Sequence, residues 1–325
     1  MTAHAWHLIG DVGGTNMRLS AVALDGGTIA TERHSTSGDH SVPEACAALV
    51  RRIGHAPLGI AIAAAGVIRR EGAVRLTNSQ AAFSVADLAA GCATTNVRLL
   101  NDFEAAAWSL ATVAAPDVIT LQGATVFPRT PRLIFGPGTG LGVGALVFAQ
   151  GMPIVVPGEG GHVRLAPDTE EQVPIFKALR ALWPEIAIGP GLAVEAEALL
   201  SGTGLPVLYR AVAAAGGHSA PLGSAADILG AARAGTDPCA QETVALFRQA
   251  LGGLAGDLGL AFGATGGVFL AGGVAVANPW LFDDAFLRAF NDGGRHSGWR
   301  RSLPVHLMKS DDFGLTGARN ALTLS

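Results

Sequence analysis

The sequence has little cysteine, and this limits the kinds of protein it can encode. Its 325 residues contain three cysteines, Cys46, Cys92 and Cys239. They are far apart, odd in number and outside the spacing of a metal site, so they favour buried thiols in a reducing cytosol. No signal peptide is visible, and we therefore expect a cytoplasmic protein.

A surplus of positive charge is also missing. Lysine and arginine number 22 against 26 aspartate and glutamate residues, which gives a net charge of −4. The chain has no basic run and no basic-aromatic stripe that could track a phosphate backbone. We therefore expect no nucleic-acid partner.

Uncharged runs long enough to cross a bilayer are scarce, and one window, residues 258–277, has the nominal length. Two glycine pairs, Gly266-Gly267 and Gly272-Gly273, bracket the β-like run Val268-Phe-Leu-Ala271 in this window. This pattern predicts the end of a helix, a buried strand and a tight turn. We expect no membrane span.

Two glycine turns of the same design are the most informative feature that is present. They read Asp11-Val-Gly-Gly-Thr-Asn-Met-Arg18 and Gly136-Pro-Gly-Thr-Gly-Leu-Gly142, and each lies between an apolar strand and a second apolar run. Glycine permits positive φ angles and close backbone approach, so consecutive N–H groups can converge on an anion. The chain also exceeds the size at which one hydrophobic core usually stops growing. We therefore expect two related domains that hold one nucleotide from both sides.

Strands and helices alternate through the first third of the chain, which predicts a sheet covered by helices. The expected elements are strands at residues 6–10, 18–24, 58–65 and 97–100 and helices at residues 43–53 and 85–91. The second glycine turn, with strands near residues 133–136 and 142–148, starts a larger domain.

A long amphipathic helix is predicted after Asp237, which reads as an N-cap before Pro238. Glycines at residues 252, 253, 256 and 259 lower its helix propensity, so we expect close packing against another backbone to compensate. Residues 311–325 are predicted to form a terminal helix.

Asp11 stands where the first strand ends beside the first glycine turn. A carboxylate there suits Mg²⁺ held through water, while N–H groups and hydroxyls of the turn bind phosphate. The turn residues in question are Gly13, Gly14, Thr15 and Asn16. An ordinary hairpin turn is the alternative, and the second turn together with residues 266–275 favours phosphate binding.

Asp102 follows a buried apolar strand and precedes a predicted helix. Taken alone, the pattern favours a cap, with Asn101 or Asp102 at the helix N-terminus. The functional interpretation is that Asp102 accepts a proton from an attacking hydroxyl at the carboxyl end of a strand, where α/β sheets bind their ligands. Phosphoryl transfer needs mainly alignment and charge neutralisation, so one carboxylate and a metal-bound nucleotide suffice.

The segment Pro157-Gly-Glu-Gly-Gly-His162 combines a flexible turn with a carboxylate and an imidazole. Glu159 and His162 suit the vicinal hydroxyls of a sugar. A structural histidine is the alternative, and the group is incomplete as a metal site; the flanking glycines favour a ligand. Glu197 is a weaker candidate that could equally lie on a solvated helix face, and Glu195 is its rival.

These motifs, in this order, resemble the bacterial glucokinase family, within the superfamily of sugar kinases, heat-shock-chaperone ATPases and actin. The resemblance runs nearly end to end. The matching segments are residues 11–18 and 136–144 for phosphate, Leu100-Asn-Asp-Phe-Glu104 for catalysis, residues 157–163 for the sugar and residues 266–275 for adenosine, with Thr77-Asn78 and residues 200–205 in addition.

The resemblance implies an α/β, two-domain, ribonuclease-H-like (actin-like ATPase) fold with its active site in the interdomain cleft. A small domain, residues 1–110, would be completed by a C-terminal helix at residues 311–325, and a large domain would span residues 111–310. The resemblance also implies a homodimer that phosphorylates glucose to glucose 6-phosphate, with ATP and Mg²⁺.

Roles follow from the resemblance by motif position. Asp102 would be the base that acts on the sugar 6-hydroxyl. The sugar-binding residues would be Asn78, Asn101, Asp102, Glu159, His162 and Glu197. The nucleotide-binding residues would be Asp11, Gly13, Gly14, Thr15, Asn16, Gly138, Thr139, Gly140, Gly272 and Gly273, with Asp11 also holding Mg²⁺ through water. Glu195 departs from the family pattern, which often has a small residue there, so Glu195 and Glu197 both stay open as the third sugar-binding acid.

Three alternatives accompany this hypothesis. The related repressor-and-kinase (ROK) sugar kinases carry a cysteine-rich zinc motif after a comparable Glu-x-Gly-His, and residues 163–171 contain no cysteine, which points away from them. A kinase of another hexose, such as mannose, fructose or an amino sugar, is the second alternative. The third is a non-enzymatic, sugar-responsive regulator of the same fold.

Overall fold

The computed structural model describes residues 5–36, 41–77, 81–310 and 312–324. The chain divides into two compact units. Unit 1 comprises residues 1–113, 145–157 and 312–325, and unit 2 comprises residues 114–144 and 158–311. The boundaries expected from the sequence left residues 145–157 in the larger domain. In the structure these residues belong to unit 1, where Val155 packs against a cluster that contains Leu100 and Trp108.

The described residues contain strands and helices in both units. The strands are β1 (Trp6–Val12), β2 (Asn16–Ala23), β3 (Thr28–Ser35), β4 (Gly59–Ala64), β5 (Gly66–Ile68), β6 (Ala73–Leu76), β7 (Ala82–Ser84), β8 (Val97–Asn101), β9 (Val118–Gln122), β10 (Arg132–Pro137), β11 (Leu141–Ala149), β12 (Met152–Val156), β13 (Arg164–Leu165), β14 (Val194–Glu195), β15 (Val268–Leu270) and β16 (Val305–Met308). The helices are α1 (Val42–Ile53), α2 (Val85–Cys92), α3 (Asp102–Ser109), α4 (Val173–Leu182), α5 (Leu205–Ala215), α6 (Ala225–Ala234), α7 (Pro238–Ala261), α8 (Gly273–Ala277), α9 (Asp284–Asn291), α10 (Ser297–Ser302) and α11 (Gly314–Thr323).

Unit 1 is built on a five-stranded sheet in the order β3-β2-β1-β4-β8. The glycine turn after β1 makes β2 its antiparallel partner, whereas β4 and β8 continue the sheet in parallel. Alternate residues of β1 point to opposite faces. Trp6 and Leu8 pack in a core cluster with residues of α1 and α2, while Ile9 packs with Ala318 of α11. Asp11 is two residues after Ile9, so its side chain points to the same face of the sheet, which α11 covers.

Side-chain interactions mark where α1 and α2 begin. The Ser41 N–H donates to the Glu44 carboxylate at 2.8 Å before α1, and the Ser84 N–H donates to the Asp87 carboxylate at 2.8 Å before α2. Both arrangements are capping boxes, which satisfy N–H groups that a helix leaves unpaired.

Unit 2 contains a second sheet in which β10, β15 and β16 run parallel and β9 pairs antiparallel with β16. The first residues of β11 belong to this unit, and the strand continues into unit 1, where its residues 145–149 pair with β12. A separate two-stranded ribbon is formed by β13 and β14.

The long helix predicted after Asp237 is confirmed as α7, and the Asp237 carboxylate accepts the Ala240 N–H at 2.9 Å. A Cβ at Gly252 would lie 2.6 Å from the Phe286 carbonyl oxygen of α9, and a Cβ at Gly256 would overlap the Phe290 carbonyl. Close backbone packing is thus confirmed at these two glycines.

The same expectation is wrong for Gly253, where a Cβ would meet nothing within 4 Å. Gly259 packs against side chains rather than backbone. The difference arises because only one stripe of a helix faces its neighbour.

Residues 258–277 form the end of α7, a turn, the buried strand β15 and α8, as the glycine pairs predict. No helix in the described residues is long and apolar enough to cross a membrane. The three cysteines are buried thiols, which confirms that expectation.

Candidate active site

The parallel strands of unit 1 bring two predicted acidic residues to one edge of the sheet. Val12 is in register with Ala64, and Ala64 is in register with Asn101. The carboxyl ends of β1, β4 and β8 therefore coincide, and this is the edge where parallel sheets bind ligands. Asp11 and Asp102 both lie at this edge.

Asp11 is a half-buried carboxylate in an acidic neighbourhood. A Cβ at Gly314, the first residue of α11, would lie 2.5 Å from the Asp11 carboxyl carbon, so only glycine allows this helix to begin there. The pKa of Asp11 is raised, mainly because burial disfavours the charged form. Arg18 opposes this effect on the Asp11 pKa, while the carboxylates of Asp312 and Asp102 add to it.

The Arg18 guanidinium lies 3.5 Å from the Asp11 carboxylate and also pairs with Asp312. Arg18 ended the predicted phosphate motif without an assigned role, and nothing in the sequence pattern marked Asp312, which lies far away along the chain. Arg18 thus ties the first glycine turn to the segment that leads into α11.

The donor set at this edge fits Mg²⁺ carried by a nucleotide. In the described part of the chain, no group of three histidine, cysteine, aspartate or glutamate residues could hold a metal ion by itself. Mg²⁺ is usually held by one or two carboxylates, water and substrate phosphates, so a complete protein cage is not required. A cation at this edge would offset the repulsion between the carboxylates that raises the pKa of Asp11.

The first glycine turn is held in shape by its own backbone bonds. The Gly13 N–H donates to the Asn16 carbonyl at 2.9 Å, and the Thr36 hydroxyl donates to the Gly13 carbonyl at 3.0 Å. Thr15 and Asn16 are exposed. Because the Gly13 N–H closes the turn, the Thr15 hydroxyl and the Asn16 amide are better placed than Gly13 to meet a ligand.

Asn101 and Asp102 have different tasks in the strand-to-helix junction. The Asn101 side-chain oxygen accepts the Glu104 N–H at 2.5 Å, so the cap expected at this position is Asn101. Asp102 is the exposed first residue of α3, and its carboxylate accepts the Phe103 N–H at 3.0 Å. The positive end of the α3 dipole favours negative charge on Asp102, as a proton acceptor requires.

The predicted nucleotide-binding residues of unit 2 lie in and around the second glycine turn. The Gly138 N–H donates to the Gly140 carbonyl at 2.8 Å, and the Gly138 carbonyl in turn accepts the Gly202 N–H at 2.8 Å. The Thr203 hydroxyl donates to the Thr139 carbonyl at 2.9 Å. Residues 200–203 are therefore a support for this turn.

The adenosine segment packs on the other side of the same turn. Gly272 has a φ of 88°, and a Cβ there would lie 2.5 Å from the Pro137 carbonyl oxygen. A Cβ at Gly136 would overlap the Ala271 carbonyl. These glycines let β10 and the start of α8, at Gly273, approach one another, and this brings Gly272 and Gly273 beside Gly138.

The sugar loop packs tightly on the start of β11. Residues Gly160–His162 form one 3-10 turn. A Cβ at Gly161 would overlap the Leu141 carbonyl, and one at Gly160 would lie 2.8 Å from the Val143 Cβ. This packing accounts for both glycines without a ligand, so they no longer count as evidence for one. Glu159 and His162 themselves are exposed.

Glu195 and Glu197 contact different partners. The Glu197 carboxylate accepts the Leu141 N–H at 2.8 Å, and it occupies the space beside Gly140 that a side chain would fill. Glu197 therefore holds the second glycine turn and does not lie on a solvated helix face. Glu195 instead lies 2.9 Å from Nδ1 of His162.

The pKa of His162 is raised, first by its hydrogen bond to Glu195 and then by the charges of Glu197, Glu195 and Glu159, while burial acts in the opposite direction. These side chains consequently form one cluster of three acids around an imidazole. Asn78, the remaining residue assigned to the sugar, lies outside the described residues.

Comparison with known proteins places this chain among sugar kinases. The family model for glucokinase matches residues 8–325. A glucokinase of Sinorhizobium fredii is 38% identical over 314 residues, which cover 95% of this chain and 90% of that relative. The crystal structure of a glucokinase from an Antarctic psychrotroph has a TM-score of 0.85 at 29% identity, covering 98% of this chain and 99% of the other. The ROK hexokinase of Thermus thermophilus has the same fold, with a TM-score of 0.68 at 22% identity over 96% of each chain.

Proposed function

The chain belongs to the glucokinase family and is a hexose kinase, and from this premise we propose that it transfers the γ-phosphoryl group of ATP to the 6-hydroxyl of glucose. The observation that carries the proposal is the position of Asp102. This exposed carboxylate begins α3 at the sheet edge that also holds Asp11.

Asp102 is the proposed base. Its carboxylate accepts the proton of the 6-hydroxyl while the 6-oxygen forms a bond to the γ-phosphorus. The bond from that phosphorus to the β,γ-bridging oxygen breaks, and ADP leaves with the electron pair. Phosphoryl transfer depends mostly on alignment and charge stabilisation, so one carboxylate at the N-terminus of α3 is sufficient proton-transfer machinery.

The two glycine turns are the proposed phosphate contacts. Thr15 and Asn16 offer exposed side-chain donors in the first turn, and the second turn is fixed by its bonds to Gly202, Thr203 and Glu197. Asp11 is the residue that would hold Mg²⁺, through water. When bound, Mg²⁺ neutralises charge on the phosphates.

The acidic cluster of unit 2 is the proposed sugar contact. Glu159 accepts hydrogen bonds from sugar hydroxyls. A ring nitrogen of His162 forms a further hydrogen bond to a sugar hydroxyl. A site that hydrogen-bonds each hydroxyl rejects a sugar that lacks one, because a buried partner is then left unpaired.

A panel of sugars in an ADP-coupled assay tests the proposal. We expect glucose to give the highest kcat/KM among glucose, mannose, fructose and glucosamine. A higher value for one of the other sugars would make that sugar the substrate. When formation of glucose 6-phosphate is measured instead of ADP, replacing ATP by ADP or polyphosphate should abolish activity, and equal rates with either donor would contradict the proposed use of ATP.

We further propose that the enzyme is a cytoplasmic homodimer that acts without nucleic-acid or membrane partners. Met152, Ile154 and Val156 form an apolar stripe along β12, with 52%, 46% and 38% of their surfaces exposed. The stripe adjoins a groove that Arg98 and Glu104 line. In a two-fold symmetric dimer the same surface of both protomers meets at the interface. Arg98 of one protomer could therefore pair with Glu104 of the other while the apolar stripes pack together. Light scattering should show a dimer, and Ile154→Lys should give a monomer; a monomeric parent protein would refute this proposal.

A further inference from the structure

The backbone of unit 2 brings Glu195 close to His162. Glu195 ends β14 and is in register with Arg164 of β13. The Ala196 N–H donates to the Val163 carbonyl at 2.9 Å, which ties together the residues next to His162 and Glu195. Backbone hydrogen bonds between the neighbouring residues therefore hold His162 and Glu195 close together.

The contact between Glu195 and His162 determines which ring nitrogen of His162 carries a hydrogen. Nδ1 of His162 is 2.9 Å from Oε2 of Glu195. An ionised carboxylate can only accept a hydrogen bond, so Nδ1 must carry a hydrogen. The ring nitrogen that remains for a ligand is Nε2, which accepts a hydrogen bond when the ring is neutral and donates one when it is charged.

We propose that Glu195 is a positioning residue that acts through His162: it holds Nδ1 and keeps Nε2–H directed at a hydroxyl oxygen of the bound sugar. This inference rests on the proposed function. It separates the two acids that the sequence left open, because Glu195 serves the histidine whereas Glu197 serves the second glycine turn.

The charges around His162 favour its donor form. Glu159 comes from its own turn, Glu195 from β14 and Glu197 from the turn that follows, while Arg164 stands opposite Glu195 on β13 and is exposed. The Glu159 carboxylate can accept the hydrogen of a sugar hydroxyl. The oxygen of such a hydroxyl can then accept a hydrogen bond from a protonated imidazole.

We expect the affinity for glucose to fall as pH rises. Glu195 raises the pKa of His162, so the donor form persists to higher pH than it would without this partner. The protonated imidazole contributes to glucose affinity at pH values below the His162 pKa. This contribution is lost as pH rises through that pKa. Removal of the Glu195 charge moves this fall to lower pH.

The test compares the parent enzyme with Glu195→Gln and Glu195→Ala between about pH 5.5 and 9, a range that spans histidine titration. Glu195→Gln can still accept from Nδ1 but has no charge, so we expect the rise in glucose KM to shift to lower pH with little change in kcat. Glu195→Ala also loses the orientation, and its KM should rise about three- to tenfold across the range, the effect of one lost hydrogen bond.

Glu185→Gln is the matched control, since Glu185 is an exposed acid elsewhere in unit 2. It should reproduce the parent profile. The NMR titration of His162 in the sugar-free protein gives a second readout, and its midpoint should be lower in Glu195→Gln.

Two results would overturn the inference: superimposable profiles for the parent enzyme and Glu195→Gln, or a rise in KM in both Glu195 variants without any shift along the pH axis, as direct sugar binding would give. A parent enzyme that does not phosphorylate glucose would instead refute the proposed function, and the NMR titration would still test the contact.

Discussion

Acid should destabilise this protein through His306, which lies on β16 in the core of unit 2. Its side chain is fully buried, with ring centroids of Phe269 and Phe127 at 5.0 and 5.5 Å. Nδ1 is 3.1 Å from the Thr120 hydroxyl, and Nε2 has no hydrogen-bond partner in the described part of the chain. A charge on this ring would be cut off from solvent, which disfavours the protonated form.

Burial lowers the pKa of His306 from 6.5 to about 4. The folded state therefore keeps the ring neutral at pH values where the unfolded chain binds a proton. Stability is retained above pH 6.5 and is lost progressively as pH falls toward 4. At about 1.4 kcal/mol for each unit by which the pKa is lowered, the full loss of stability, reached once pH is below 4, is about 3 to 4 kcal/mol.

Urea unfolding at pH 7 and at pH 4.5 measures the effect on the parent protein and on His306→Leu. We expect the parent protein to lose about 2 kcal/mol more than the variant between the two pH values. His218→Leu is the control, because His218 is exposed. Equal losses in the parent protein and His306→Leu would refute the assignment of acid sensitivity to this ring.

Three further predictions concern other parts of the molecule. Glu159→Ala should raise the glucose KM in steady-state assays while kcat changes by less than about tenfold, and an unchanged KM would remove Glu159 from the sugar site. Gly256→Ala should lower the free energy of unfolding by about 1 to 3 kcal/mol in urea, because its Cβ overlaps the Phe290 carbonyl; Gly253→Ala on the same helix should not destabilise, and equal effects would contradict the packing argument. Asp11→Asn should abolish activity without lowering the melting temperature of the ligand-free protein, because burial raises the pKa of Asp11 and so disfavours its charged form in the folded state; a clear loss of stability would contradict this.

Local sequence signals predicted several of the strands and helices. Alternation and apolar runs located β1, β4 and β8, and Asp237 marked the start of α7 because a cap is a short-range interaction. The family resemblance gave the fold, which the match over residues 8–325 supports. These features depend on residues that lie close together in the chain.

Local sequence patterns could not predict features that depend on packing between distant segments of the chain. A glycine pattern cannot tell that Gly252 faces α9 whereas Gly253 faces open space. Nor could spacing show that Glu197 holds the Leu141 N–H and Glu195 holds His162, because each partner comes from a distant segment. The sequence favours a ligand as the reason for the glycines around Glu159, whereas the structure gives Gly160 and Gly161 a different reason, their packing on β11.

The central claim, that Asp102 is the proton acceptor in glucose phosphorylation, is tested most directly by Asp102→Asn, which preserves the size of the side chain and removes its basicity. Turnover would be measured in the ADP-coupled assay and glucose affinity by calorimetry on the same preparation. The account predicts a fall in kcat of about 10³-fold or more, with the glucose Kd within about tenfold of the parent value. Turnover close to that of the parent enzyme would contradict it.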